Sequence, residues 1–273
     1  MSGKPEGGRW ELKYVFPMSL RNDLFRIVGD NIAPDPHGQV FPELGTRGYD
    51  VHSLYFDTPD YQDYTNRMCG QQVRVRLRVR TYGKPGDKAP VYLEDKRKVD
   101  NWVLKQRVKV GDADTWIASR DPEPWATWGR RVTGKKAIIA QHFLRRVVDE
   151  GRRPVSVVHY RRECFVDRNP TDAEVRLTMD HHVSSTTAPG PTDFYAPPDQ
   201  LLIPEGYVVL ELKFNHTQPG WMRKLVRELH LVSETVSKFG LSVAYGLRAD
   251  HPNEVRLNTP VGALRAVANK VAL

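Results

Sequence analysis

The sequence predicts an α+β protein, mainly antiparallel β, whose sheet closes around a charged interior with helices packed outside. Three observations lead there. Eight segments alternate apolar and polar residues with the two-residue period of a strand. Several are joined by short stretches of turn chemistry, such as Tyr82-Gly83-Lys84-Pro85-Gly86-Asp87, Val99-Asp100-Asn101 and Arg168-Asn169-Pro170, which suit hairpins rather than crossovers. The polar faces of those strands are rows of Arg and Lys, unlike the mixed polar face of an ordinary half-exposed sheet.

Taken in order, the strands are expected over residues 10–16, 51–56, 73–82, 91–99, 104–110, 156–167, 174–183 and 207–214. Helices are expected over 19–30, with Ser19 as cap, over 135–150 from apolar residues at helical spacing, and over 219–238, with Pro219 in the first turn. Residues 184–204, rich in Pro, Thr and Ser, read as a long loop. The Trp-rich segment 116–128 reads as a surface excursion packed on the sheet, without chemistry of its own. No repeat or linker splits the chain, so 1–250 is expected to be one catalytic domain. Residues 251–273 are expected to be a tail or a short helix capped at Thr259-Pro260.

Composition narrows the partners. The 273 residues carry 41 Lys and Arg against 33 Asp and Glu, a formal charge of +8. That excess favours an anionic partner without choosing among nucleic acid, lipid headgroup, nucleotide and polyphosphate. With 27% charged and 10% aromatic residues, disorder of the whole chain is excluded. Cys69 and Cys164 have neither metal-ligand spacing nor a disulfide framework, which suits reduced thiols in a cytosolic protein. The N-terminus lacks an apolar h-region and no run approaches 18 apolar residues, so no membrane span and a cytoplasmic location are expected.

The strand faces carry the functional signal. In 73–80, Val73, Val75, Leu77 and Val79 share one face while Arg74, Arg76, Arg78 and Arg80 share the other. Those guanidinium groups stand in a row at roughly 7 Å spacing, from a rise of about 3.4 Å per residue. The same split aligns Glu94, Lys96 and Lys98; Lys105, Arg107 and Lys109; Arg176, Thr178 and Asp180; Glu211 and Lys213; and Glu11 with Lys13. It also places Arg162 with Tyr160. Like charges facing each other oppose strand pairing unless an anion neutralises them. An open basic sheet lying on nucleic acid would meet that need through phosphate contacts. A closed sheet with the charges lining a lumen meets it too. The interleaved glutamates favour the lumen, because carboxylates repel nucleic acid but join phosphate oxygens in a Mg²⁺ or Mn²⁺ site.

In order and spacing, Glu11-Leu12-Lys13-Tyr14, Ser53-Leu54-Tyr55-Phe56-Asp57-Thr58, Arg78-Val79-Arg80-Thr81-Tyr82-Gly83, Glu94-Asp95-Lys96 followed by Trp102, Tyr160-Arg161-Arg162, Val175-Arg176-Leu177-Thr178-Met179-Asp180, Val209-Leu210-Glu211-Leu212-Lys213, and Pro219-Gly220-Trp221 leading to Ser237-Lys238-Phe239 carry a resemblance. The chain resembles the catalytic domain of the vacuolar transporter chaperone (VTC) polyphosphate polymerases, a branch of the triphosphate tunnel metalloenzymes (CYTH superfamily). The resemblance runs from Glu11 to about Ser242. It implies a closed barrel of about eight antiparallel strands that binds ATP with Mn²⁺ or Mg²⁺ and threads inorganic polyphosphate.

Carried over by position, Lys13, Arg78, Arg80, Lys96, Lys109, Arg162 and Arg176 correspond to the phosphate-holding cations of that family. Glu211 corresponds to its metal-binding glutamate, which Glu94 and Glu11 are placed to help, and Lys238 to a lysine near the tunnel mouth. Arg74, Arg76, Lys98, Lys105, Arg107 and Lys213 extend the cationic rows as candidate substrate-binding residues. Where the family commonly continues Ser-Lys after Lys-Phe, this chain has Gly240-Leu241, one cation fewer at that end.

The expected reaction is transfer of the γ-phosphate of ATP to a growing polyphosphate chain. Two alternatives stand beside it: a tunnel triphosphatase or polyphosphate hydrolase, and a non-catalytic polyphosphate- or nucleic-acid-binding module. Hydrolytic members usually carry Glu-x-Glu-x-Lys near the N-terminus, whereas this chain has Arg9-Trp10-Glu11-Leu12-Lys13. No Ser-His-Asp or Cys-His constellation is visible, and His181-His182 beside Asp180 lacks a third ligand placed by sequence. No specific nucleic acid is expected, and since eukaryotic relatives sit in membrane assemblies, the resemblance leaves room for a separate membrane or accessory partner.

Overall fold

The strands form where the alternation places them. In a computed structural model, which describes residues 10–99, 102–169, 174–233 and 236–250, they are β1 (Trp10–Pro17), β2 (Ile32–Pro34), β3 (Gln39–Phe41), β4 (Thr46–Asp57), β5 (Val73–Tyr82), β6 (Pro90–Val99), β7 (Trp102–Asp112), β8 (Arg153–Asp167), β9 (Arg176–Thr187), β10 (Gln200–Leu201) and β11 (Tyr207–Phe214). The helices are α1 (Arg21–Val28), α2 (Gln62–Met68), α3 (Ala113–Ala118), α4 (Pro124–Arg130), α5 (Ala137–Asp149), α6 (Gly220–Glu228) and α7 (Lys238–Asp250). The tail call on 251–273 lies outside the described residues.

All main pairings are antiparallel, in the order β1-β11-β9-β8-β4-β5-β6-β7, with β2, β3 and β10 attached at the sides. The path ends at β1 and β7 without a hydrogen-bonded ladder between them, so the expected closed barrel is an open sheet of 11 strands. The sheet nevertheless curls on itself: Lys96 Nζ on β6 stands 3.0 Å from Glu11 Oε2 on β1. Side chains bridge the gap that the backbones leave open.

Both faces of the curl are covered, for different reasons. On the convex side, Leu54, Phe56, Leu77, Val79, Val91 and Leu93 meet Trp116, Trp125 and Trp128 and the Ala140, Phe143 and Val147 stripe of α5. The Trp-rich segment is therefore two short helices inside a core. Gly111 shows how tight that packing is, since a Cβ there would come within 1.7 Å of the Trp128 ring. A second convex cluster packs Phe16, Leu177, Leu210 and Leu212 beneath α1 and α6. On the concave side, α7 brings Phe239, Leu241 and Val243 against Tyr55, Tyr160 and Val209. Its residues from Lys238 to Ala244 are all buried, so this first half of the helix has no face turned to solvent.

Local expectations failed at helix ends. Ser19 does not cap α1; residues 18–20 form a 3₁₀ turn and Leu20 stands at the cap. The helix expected over 219–238 stops at Glu228. His230 turns left-handed (φ 47°), with Leu231 N donating to Val226 O and His230 N to Arg227 O, a Schellman stop that sequence periodicity does not reveal. The loop expected over 184–204 is shorter, because β9 runs to Thr187 and Gln200–Leu201 pairs back onto it.

Candidate functional site

The concave faces of β1, β4, β5, β6, β7, β8 and β11, with the start of α7, point their polar residues into one cleft, with about 610 Å³ of empty space open to solvent. Lys13, Arg76, Arg78, Arg80, Lys96, Lys105, Arg162, Lys213 and Lys238 line it, against two lining carboxylates, Glu11 and Glu211. Tyr55, Tyr160 and Phe239 supply its apolar wall.

Two buried carboxylate knots hold the cations in place. Glu211 is 4% exposed; Lys13 Nζ and Lys238 Nζ stand 3.3 Å from its Oε1, Arg162 Nη2 stands 3.4 Å from its Oε2, and Lys213 donates to the same Oε2. Burial would raise its pKa, but Lys13, Lys213, Lys238 and Arg162 outweigh that and hold it well below the carboxylate range. Asp180, fully buried, grips Arg162 bidentately at 2.6 and 2.8 Å and accepts from Lys238 Nζ at 2.5 Å. Such a fork fixes a guanidinium in orientation as well as position.

The second knot is Glu94, fully buried behind the arginine row. It takes Arg78 at 2.6–2.7 Å and Lys105 Nζ at 2.7 Å, with Arg80 and Arg107 each at 3.9 Å. Arg80 Nε donates to Ser53 Oγ at 2.9 Å, and Arg78 Nη1 donates to the Tyr55 hydroxyl at 3.0 Å. Burial raises the Tyr55 phenol, but Arg78 and Arg80 overturn it and bring the pKa down to about 8. Glu11 joins the two halves, 3.0 Å from Lys96 and 3.6 Å from Lys213.

The sequence-derived residues are thus divided by position. Lys13, Arg76, Arg78, Arg80, Lys96, Lys105, Arg162, Lys213 and Lys238 meet in the cleft with Glu11 and Glu211. Glu94 sits beneath the lining as an anchor for cations. Arg74 and Lys98, half-buried and directly opposite each other, lie at the end of the β5–β6 hairpin beyond the cleft. Arg107, 44% exposed, lies 4.0 Å over the Tyr92 ring. Lys109 and Arg176 are exposed; Lys109 stands opposite Tyr92, in the last pair before a register shift in the β6–β7 ladder, and Arg176 opposite Lys213 at the start of β9. Both share the concave face yet stand outside the cleft lining.

Asp180 and Tyr160 share the cationic strand faces and the family-like motifs in the sequence but were not expected as site residues; the structure adds that Asp180 is fully buried there. His181 and His182 separate: His181 Nε2 bonds Glu163 Oε2 at 2.8 Å, while His182 is exposed. Asp57 accepts backbone N–H groups from Thr58, Asp63 and Tyr64, and so organises the turn into α2. Cys69 and Cys164 are free thiols.

Among the described residues no three His, Cys, Asp or Glu side chains group to hold a metal ion. Glu11 and Glu211 do converge, both reaching Lys213 from adjacent strands. Two carboxylates completed by phosphate oxygens fit the way Mg²⁺ is usually bound beside a nucleotide. The donor set therefore suits a divalent ion that arrives with its phosphate ligand.

Comparisons with known proteins bear on the family to which the chain belongs. The VTC domain family model matches residues 8–246. The chain is 25% identical to vacuolar transporter chaperone complex subunit 4 of Schizosaccharomyces pombe, over 69% of this chain and 30% of that protein, so it spans less than a third of the relative's length. Two solved structures align over 88% of this chain and 98% of theirs. One is a Pyrococcus horikoshii protein (TM-score 0.40, 14% identity); the other is a Vibrio parahaemolyticus protein provisionally called an adenylate cyclase (TM-score 0.41, 12% identity). With most of its length matched by the family model, this chain belongs to the VTC-domain family.

Proposed function

We propose that the chain is a polyphosphate polymerase, transferring the γ-phosphate of ATP to the end of a polyphosphate chain held in the cleft. The observation that carries the reading is the lining: nine Lys and Arg side chains against two carboxylates, all but Arg76 held in orientation by Glu94, Glu211, Asp180 or Glu11 before any ligand arrives. Preorganised cations aimed at one space stabilise charge that develops in a transition state. A single flexible linear polyanion can bring successive phosphate groups to all of them.

The chemistry needs little more than placement. A terminal oxygen of the bound chain attacks the γ-phosphorus of ATP; the new P–O bond forms as the bond to the β,γ-bridging oxygen breaks, and ADP leaves with that electron pair. The attacking oxygen is already ionised, so no general base is required, and among the described residues no Ser, Cys or His lines the cleft. Arg78 and Arg80, locked by Glu94, Tyr55 and Ser53, orient one stretch of phosphate oxygens. Arg162 and Lys238, locked by Asp180, orient another. A divalent ion held by Glu211 and Glu11 supplies, when bound, further neutralisation of the phosphate charge.

The test is incubation with ATP and Mn²⁺, with and without a short polyphosphate primer, resolved by chain length on a gel beside Glu211→Ala. A ladder of long chains, lost in the variant, supports the polymerase. Free phosphate without chain growth moves the assignment to a hydrolase, and binding without turnover leaves a polyanion-holding module.

A further inference from the structure

The cleft does not end where its lining ends. Arg76 lines it, and one repeat further along β5 stands Arg74, directly across the ladder from Lys98 on β6. Two cations facing each other across a strand pair oppose the pairing. Among the described residues, Arg74, Arg76 and Lys98 have no carboxylate within ion-pair distance, unlike Arg78, Arg80 and Lys96, which each have one. The Nε of Arg74 is buried without a hydrogen-bond partner.

A fourth cation joins from a different element. Arg67, in the last turn of α2, brings its Nε within 3.8 Å of where a Cβ on Gly240 would stand. Gly240 lies two residues after Lys238, which enters the cleft from the start of α7. Arg67 thus approaches the start of α7, beside Lys238 at the cleft. We infer that Arg67, Arg74 and Lys98 form an outer subsite for a linear polyphosphate, continuous with the cleft through Arg76 and engaged only by chains longer than the cleft holds.

The mutual repulsion of the group is visible in its acid–base behaviour. Burial, with Arg76 and Arg74, pushes Arg67 down to about 10, and burial, with Arg74, Arg67 and Arg76, lowers Lys98. A flexible phosphate chain leaving the cleft along β5 and β6 would meet all three in succession. The opposite end of the cleft differs in kind. There the cations Arg107 and Lys109 accompany the rings of Tyr82 and Tyr92, 6.1 Å apart. At the Arg67 end three cations from α2, β5 and β6 gather, a distribution of charge that suits phosphate repeats.

The inference rests on the proposed polyphosphate chemistry but is tested by binding, without turnover. The full chain and its Arg67→Ala and Arg67→Lys variants are titrated with tripolyphosphate, with long-chain polyphosphate, and with single-stranded DNA, at two salt concentrations. The expected result is about a tenfold loss of long-chain affinity in Arg67→Ala, a shallower salt dependence for that ligand, and tripolyphosphate affinity within about twofold of wild type. Arg67→Lys restores the long-chain affinity, which separates lost charge from lost folding. Equal losses for both phosphates, no loss for either, or a loss confined to DNA each overturn the subsite. If the split appears and the protein makes no polymer from ATP, the polymerase reading fails while the subsite stands.

Discussion

Glu211→Gln removes one negative charge from a buried site where four cations converge. Breaking a buried ion pair by deleting one partner costs about 3–5 kcal/mol, because the partner is left uncompensated. Here the lower end applies. Arg162 and Lys238 keep Asp180, and Lys213 keeps Glu11 at 3.6 Å, so Lys13 is the cation most exposed to the loss. A cost of about 3 kcal/mol lowers the melting temperature by roughly 6–12 °C, at about 2–4 °C per kcal/mol for a domain of this size. Tripolyphosphate reverses the loss: at a hundred times its Kd, a ligand specific to the native state adds about 2.7 kcal/mol. Without the Glu211 charge beside the phosphates, the variant binds tripolyphosphate more tightly in EDTA and gains more from it than wild type does. Thermal melts of both proteins in EDTA, with and without tripolyphosphate, measure this. A melting shift under about 2 °C, or a variant that tripolyphosphate stabilises less than wild type, refutes the idea that Glu211 holds the cations against one another.

Further expectations follow from the same geometry. Lys96 is lowered to about 8 by burial and by Lys13, Arg76 and Arg78, against the pull of Glu11; a polyanion needs it charged, so tripolyphosphate affinity falls as pH rises through about 8. Calorimetry in buffers of different ionisation enthalpy should show proton uptake on binding near pH 8, and Lys96→Arg should flatten the dependence. Tyr55 ionises at about 8 because Arg78 and Arg80 stabilise its phenolate. Its absorbance titration should therefore move upward when tripolyphosphate neutralises those arginines and vanish in Tyr55→Phe. Gly111→Ala drives a Cβ into the Trp128 ring and should cost about 1–3 kcal/mol in denaturant unfolding. Phosphate binding by the folded fraction should be unchanged, and a change in that binding would couple the helical layer to the cleft.

Much of this fold is legible in the alternation of the strands. The split of Val73, Val75, Leu77 and Val79 from Arg74, Arg76, Arg78 and Arg80 puts Val75, Leu77 and Val79 against the tryptophan layer, leaves Val73 exposed at the strand's start, and puts the arginine row on the concave side. Alternation says which face a residue shares, not how far along the strand the cleft reaches. That is why Lys109 and Arg176 sit on the expected face but stand exposed beyond the lining. Nor does it say whether edge strands meet, since that depends on twist and curl summed over the sheet. The open edge between β1 and β7 is invisible in either strand. The inner position of α7 was missed because an enclosed helix has no polar stripe to announce its phase. Arg67 was missed because it lies on a short helix outside the rows of alternating charge.

The fate of the γ-phosphate tests the central claim most directly. ATP labelled at that position is supplied with Mn²⁺ and a polyphosphate primer, and the label is partitioned between chains and free phosphate as turnover proceeds. Label accumulating in chains that lengthen with time, in step with ADP release and abolished by Arg78→Ala, is the predicted result. Label appearing as free phosphate from the first turnover, with primer length unchanged, would contradict it.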